Sequence, residues 1–176
     1  MQISSLETLF QELLYQRDQT SDLATLGPWL QRQIATCHLP DLHKLAFSAH
    51  TYTRTPIAQE DTRQNFEAWI IRWDQDAETP VHGHPAFSFY YVISGMFQMD
   101  CFSQSATNGL QCQNSQLMCS ADSTWFLGKA GKYDNFIHRV KCLEPGHTFH
   151  VYSEDAQQGV LFPTAPEVHF NEAYCV

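Results

Sequence analysis

After residue 50 the sequence breaks into short aromatic and β-branched runs separated by turn residues, and this pattern restricts the fold more than any other feature. The runs lie at 66–73, 87–93 and 96–102, then at 111–118, 123–127, 136–142, 148–152 and 159–162. Runs of this length and composition suit half-buried strands. Many short strands joined by turns specify an antiparallel sandwich or barrel. Ser94-Gly95 reads as the end of the strand at 87–93.

The first 50 residues follow a different pattern. Ser4-x-x-Glu7 has the form of a capping box. Leu6, Leu9, Phe10, Leu13 and Leu14 then recur on one helical face. A second helical stretch covers 22–37, interrupted at Gly27-Pro28, and a shorter one follows Pro40 through Leu42, Leu45 and Ala46. The expected organisation is one domain over 1–176, mainly β, with N-terminal helices at 1–50 packed on a β-barrel at 51–176.

Charge narrows the partners. Ten Lys+Arg against nineteen Asp+Glu give a net charge of −9, which argues against a nucleic-acid backbone. The excess carboxylates show no paired spacing and read as a solvated surface. Residues 1–17 carry neither a basic n-region nor an apolar h-region. No apolar run approaches the ~20 residues of a membrane span. A cytoplasmic protein without membrane contact, a monomer or small homo-oligomer, is the expectation. The six cysteines are scattered, with no CxxC pair. They indicate neither a zinc ribbon nor a disulfide framework, and read mostly as buried small hydrophobes.

The chemistry concentrates in Thr79-Pro80-Val81-His82-Gly83-His84-Pro85. Histidines two apart on a strand point to one face, so both rings can reach one ion. The flanking Gly and Pro mark a strand edge where a site can open to substrate. A lone His-x-His is common on surfaces and in cores. About fifty residues on, however, Phe136-Ile137-His138-Arg139-Val140 sets a third histidine in an apolar strand. Three imidazoles form a neutral ligand set with positions left open, and imidazole suits Fe, Zn, Cu and Ni alike.

These residues, with two further segments, resemble the cupin superfamily and within it the thiol dioxygenases, particularly bacterial-type cysteine dioxygenase. The resemblance spans about 52–152 in four ordered pieces. Tyr52-Thr53-Arg54 is similar to the segment whose arginine binds the substrate carboxylate. His82-x-His84 is similar to the first two iron ligands, and His138-Arg139-Val140 to the third. Thr148-x-His150-x-Tyr152 is similar to the family's Ser-x-His-x-Tyr relay. The resemblance implies a jelly-roll barrel, Fe(II) on His82, His84 and His138, and a small thiol plus O₂ as substrates. It also implies Arg54, assisted by Tyr52, on the carboxylate. Thr148, His150 and Tyr152 would form a catalytic relay.

The sequence departs from the family in places. The Glu ligand of general cupins is missing, and Ser88 and Phe89 occupy that region. Phe89 aligns near the position where animal members carry a cysteine that crosslinks to the tyrosine, so no Cys–Tyr cofactor is expected. Lys141-Cys142 stands where the family continues with Glu-Asn. Arg54 leans towards L-cysteine over 3-mercaptopropionate or mercaptosuccinate. A non-oxidative metal cupin, an isomerase, lyase or small-ligand sensor, is the alternative from another class. His38, His43 and His50 read as surface residues, His147 as pointing away from the His150 face, and His169 as part of the tail. Asp134 and Asn135 read as turn-shaping, and Trp73 and Trp125 as core.

Overall fold

The computed structural model describes residues 4–60, 66–105 and 109–162. His169 and Cys175 lie outside the described residues.

Helix α1 (Leu6–Gln19) is capped by Ser5, whose Oγ accepts the Thr8 N–H at 3.2 Å. The expected Ser4–Glu7 box is thus displaced by one residue. The Ser4 carbonyl instead accepts the His38 N–H. Helix α2 (Leu26–Ile34) runs through Gly27-Pro28 without a break. Pro28 sits in its first turn, where an N–H has no helical partner to lose. The stretch after Pro40 forms only a 3₁₀ turn, Leu42–Lys44.

The rest is one curled antiparallel sheet of eight strands: β1 (Tyr52–Gln59), β2 (Glu67–Trp73), β3 (Val81–His84), β4 (Phe87–Ser105), β5 (Gly109–Met118), β6 (Ser123–Leu127), β7 (Asn135–Tyr152) and β8 (Leu161–Phe162). The order β1-β2-β7-β3-β8 forms one path, while β4 pairs with β5, β6 and β7. The long strands β4 and β7 pair from Ser88↔Tyr152 to Cys101↔His138. Each replaces two predicted runs. At Ser94-Gly95 the strand bends through a bulge instead of ending, with Gly95 at φ +89°, a conformation open to glycine without strain. Strand β1 escaped the hydrophobic pattern because it is an edge strand, mostly polar and carrying Pro56, which an edge tolerates.

Side-chain alternation splits the sheet into two faces. Ala68, Ile70, Phe87, Phe89, Phe149 and Val151 point outward and share one core with Leu6, Leu9, Phe10 and Leu13 of α1 and with Leu26, Leu30 and Ile34 of α2. Burying each such leucine or phenylalanine contributes about 1.5–3 kcal/mol. Ile71, Trp73, Tyr90, Val92, Phe97, Met99 and Val140 fill the concave side. No described helix is long and apolar enough to cross a membrane.

Two expectations about composition change. Of the free thiols only Cys142 is buried; Cys37, Cys101 and Cys112 are half-buried, and Cys119 is not free. Cys101 packs against the concave core, and Cys112 against the smaller cluster of Val81, Phe102 and Ile137. Two carboxylates are buried rather than solvated: Asp100 accepts from Arg139, Ser115 and Gln98, and Glu67 faces the concave side.

Candidate metal centre

Strand β3 carries His82 and His84 on its concave face, and β7 brings His138 directly across from His82. One ring nitrogen from each of the three histidines falls within 4.8 Å of the others. The ring centroids form a triangle with 4.7 Å sides. His82 Nδ1 lies 2.8 Å from the Pro80 carbonyl and His138 Nδ1 lies 2.9 Å from the Phe136 carbonyl. A carbonyl only accepts, so both Nδ1 atoms carry the proton and both Nε2 atoms are left as lone-pair donors. His84 is buried with neither ring nitrogen partnered. Burial lowers the basicity of all three, His84 well below the ordinary value and His138 to about 3; neighbouring histidines add to the effect at His84 and His138, and the Arg54 charge adds to it at His82. Neutral, converging and unpartnered imidazoles are what a divalent cation needs, so the residues fit a metal.

Local structure holds this cluster in place. Thr79 is anchored to Val140 through both its N–H and its Oγ1. At the other end Asn135 donates to the His84 carbonyl and also clasps Lys129 and Lys132, a tie well beyond turn-shaping. Phe136, at φ +44°, forms the bulge that lets His84 and His138 face the same way although the register slips between them. A bulky residue at positive φ is strained. Its ring is held by Phe126 and His138.

Gly83 between the two ligands has no room for a side chain, since a Cβ would lie 2.5 Å from the Tyr133 carbonyl. Gly83→Ala is expected to cost about 1–3 kcal/mol through overpacking and to weaken metal binding at least about tenfold by shifting the ligands. Urea unfolding of the metal-free protein and a metal titration check the two effects.

Beside the cluster runs a buried chain of hydrogen bonds. Trp73 Nε1 donates to Thr148 Oγ1 at 2.8 Å. Thr148 Oγ1 and His150 Nε2 are 2.7 Å apart, and His150 Nδ1 and the Tyr152 hydroxyl 2.8 Å. Trp73 fixes the polarity, because an indole only donates. Thr148 is 0% exposed, so its own proton must go to His150 Nε2 or be stranded, which is costly. His150 Nδ1 therefore carries the ring proton and donates to Tyr152. The phenol O–H is left free to donate elsewhere. Tyr152 stacks on His84, centroids 5.0 Å apart and planes 6° off parallel, and Tyr90 meets His150 edge-on. Burial keeps His150 neutral and raises Tyr152 well above the ordinary phenol range, with Arg54 pulling Tyr152 the other way.

Strand β1 places Tyr52 and Arg54 opposite Trp73 and Ile71 of β2. Both line a cavity of about 310 Å³ that also reaches His82. Arg54 lies over the Tyr52 ring at 5.6 Å and forms no ion pair among the described residues. An unpaired guanidinium at the mouth can receive an anion.

Phe89 is not near this site. It packs against the helices, and the β4 residue directly across from Tyr152 is Ser88, whose buried Oγ has no partner. His38, His43 and His50 are exposed, and His147 turns to Ser94. Two residues of the site went unread. Trp73 is core and also heads the relay. Glu67, paired with Tyr152, follows the inward parity of Trp69, Ile71 and Trp73, a signal visible only once the strand's inward face is known.

Neither a protein-family profile nor a curated protein matches the sequence. Solved structures do. A cupin superfamily protein from Desulfitobacterium hafniense superposes with a TM-score of 0.50 at 9% identity, over 67% of this chain and 92% of that one. The chain has a cupin fold. An RmlC-like cupin from Shewanella frigidimarina matches with a TM-score of 0.43 at 19% identity, covering 59% of this chain and 77% of that one. A DMSP lyase from Ruegeria pomeroyi matches with a TM-score of 0.48 at 13% identity, covering 66% and 54%. Within this cupin barrel the three-histidine cluster lies on the concave face, and Arg54 lines the cavity that opens onto it.

Proposed function

We propose that the chain is an iron(II)-dependent thiol dioxygenase that oxidises L-cysteine to cysteine sulfinic acid with O₂. The observation that carries this reading is the set of converging imidazoles, with no carboxylate among the clustered ligands, beside a cavity lined by Arg54. The net change is RSH + O₂ → RSO₂H. The O–O bond breaks, both oxygens pass to sulfur, and the thiol supplies the electrons.

An iron(II) ion on His82, His84 and His138 would supply positive charge that favours the thiolate and the redox chemistry that activates O₂. The protein's own groups do the rest. Arg54 holds the substrate carboxylate with two parallel N–H donors, and Tyr52 backs the guanidinium. Tyr152 offers its free O–H to charge developing on the substrate oxygens. His150 cannot take that proton, because its Nδ1 is already protonated. The phenol therefore acts as a donor rather than an acid relay.

Oxygen uptake by the iron-loaded protein tests the proposal, with L-cysteine, 3-mercaptopropionate and mercaptosuccinate compared and sulfinate assayed. Uptake coupled to cysteine sulfinate supports it, and uptake with another thiol moves the substrate. No thiol-dependent uptake with iron bound overturns it in favour of a non-oxidative cupin. Arg54→Ala is expected to raise KM for cysteine about 10–100-fold, the loss of a charged hydrogen-bonded pair, with a smaller change in kcat. An unchanged KM would remove Arg54 from the site.

A further inference from the structure

The cavity that Arg54 lines is also walled by Ala156 and Gln157 of the 3₁₀ turn Ala156–Gln158 and by Gly159. This turn is built to be stiff. Asp155 caps it by accepting the Gln157 N–H at 2.9 Å, and the Gly159 N–H closes it on the Ala156 carbonyl. Behind it Val160 is pinned twice, donating to the Tyr133 carbonyl and accepting the Gly83 N–H. Its front edge is held by a side chain instead. Glu67 Oε1 accepts the Ala156 N–H at 2.9 Å across 89 positions of sequence.

Glu67 is an unusual tether. It is 4% exposed, on the concave face of β2 and directly across from Tyr152. A carboxylate is rarely buried so deeply without an ion-pair partner, and among the described residues it has none. Burial raises its pKa, while Arg54 and the Ala156 N–H favour the charged form. The relay does not use it; its other hydrogen-bond partner is the Trp69 side chain. Gln157 lines the Arg54 cavity and also a second one of about 360 Å³ that contains Glu67, Trp69 and Asp155. It forms the partition between them.

We infer that Glu67 is a positioning residue that holds the Ala156–Gln158 turn against the substrate cavity, so that Gln157 forms the wall facing Arg54 and sets which thiols fit. The inference rests on the proposed thiol chemistry for its substrates, but the tether itself does not. One wall carries the cation of Arg54. The other carries a neutral amide with the carboxylates of Glu67 and Asp155 behind it. A substrate with one carboxylate can turn it to Arg54 and present an amine or an uncharged end to Gln157, which both donates and accepts. A second carboxylate would meet like charge there.

Three variants test this. Glu67→Ala removes the tether, Glu67→Gln keeps the accepting oxygen without the charge, and Gln157→Ala alters only an exposed side chain of the wall. Hydrogen exchange of the Ala156 and Gln157 amides in the metal-free protein reads the tether without any activity. Exchange is expected to quicken about tenfold in Glu67→Ala, the value of one hydrogen bond, and to stay near wild type in Glu67→Gln. In the iron-loaded protein Glu67→Ala and Gln157→Ala are expected to raise KM for L-cysteine several-fold with kcat little changed. Their preference for cysteine over mercaptosuccinate should fall. Amide exchange indifferent to Glu67→Ala overturns the tether. Quickened exchange with unaltered KM and preference in both alanine variants overturns the wall. Quickened exchange in a protein inactive on every thiol overturns the dioxygenase reading and leaves the tether standing.

Discussion

His84→Ala is expected to abolish metal binding while leaving the protein folded. His84 is the ligand with no alternative partner for either ring nitrogen, and it stacks on both His138 and Tyr152. Its removal takes away a third of the donor set and opens a gap at the centre of the cluster. Affinity for Fe(II) should drop by more than about 100-fold, beyond the loss that even an outer partner of a metal ligand brings, and thiol oxidation should vanish with it. Metal analysis after dialysis and circular dichroism separate this outcome from unfolding. A variant that keeps its metal would show that the three histidines are not the ligands.

Tyr152→Phe is expected to keep the metal and lose the rate. The phenol is the end of a chain whose polarity starts at Trp73, and only its O–H remains free to act. Removing a donor aimed at developing charge costs about 100–1,000-fold in kcat. KM should change little, because the proposed reading gives the carboxylate to Arg54. The variant also strands the His150 Nδ1–H in a buried site, at about 1–3 kcal/mol, so a modest loss of stability should accompany the loss of rate. Thr148→Val, which cuts the chain one link earlier, should fall in the same direction by less. An unimpaired Tyr152→Phe would reduce the relay to a packing feature.

The His82–His84 half of the histidine cluster was legible because its signal is local. His82 and His84 share a face through the two-residue period of a strand, and both that period and the residue type are written in three consecutive letters. Thr148, His150 and Tyr152 were legible for the same reason, and they line up in one hydrogen-bonded row. Arg54 was flagged by resemblance rather than by pattern, since the polar edge strand that carries it has no hydrophobic period to read.

Phe89 shows where resemblance stops. The resemblance aligns it near the position facing Tyr152. A shift of one residue turns a side chain to the opposite face of a strand, and alternation counted from His84 lands instead on Ser88, which faces the tyrosine while Phe89 faces the helices. Local counting is lost at the bulges in β4 and at Phe136, where parity on one side does not predict parity on the other.

Residue types and short periods by themselves thus pointed to an antiparallel sandwich or barrel with His82 and His84 on one face of a strand, because alternation and ligand chemistry act within a few residues. Register alone decided what surrounds them. It brought the Trp73 indole to Thr148 across 75 positions and the Ala156 amide to Glu67 across 89. Such contacts depend on how strands slide past one another, a degree of freedom that is settled by packing the whole sheet and not by any segment of it.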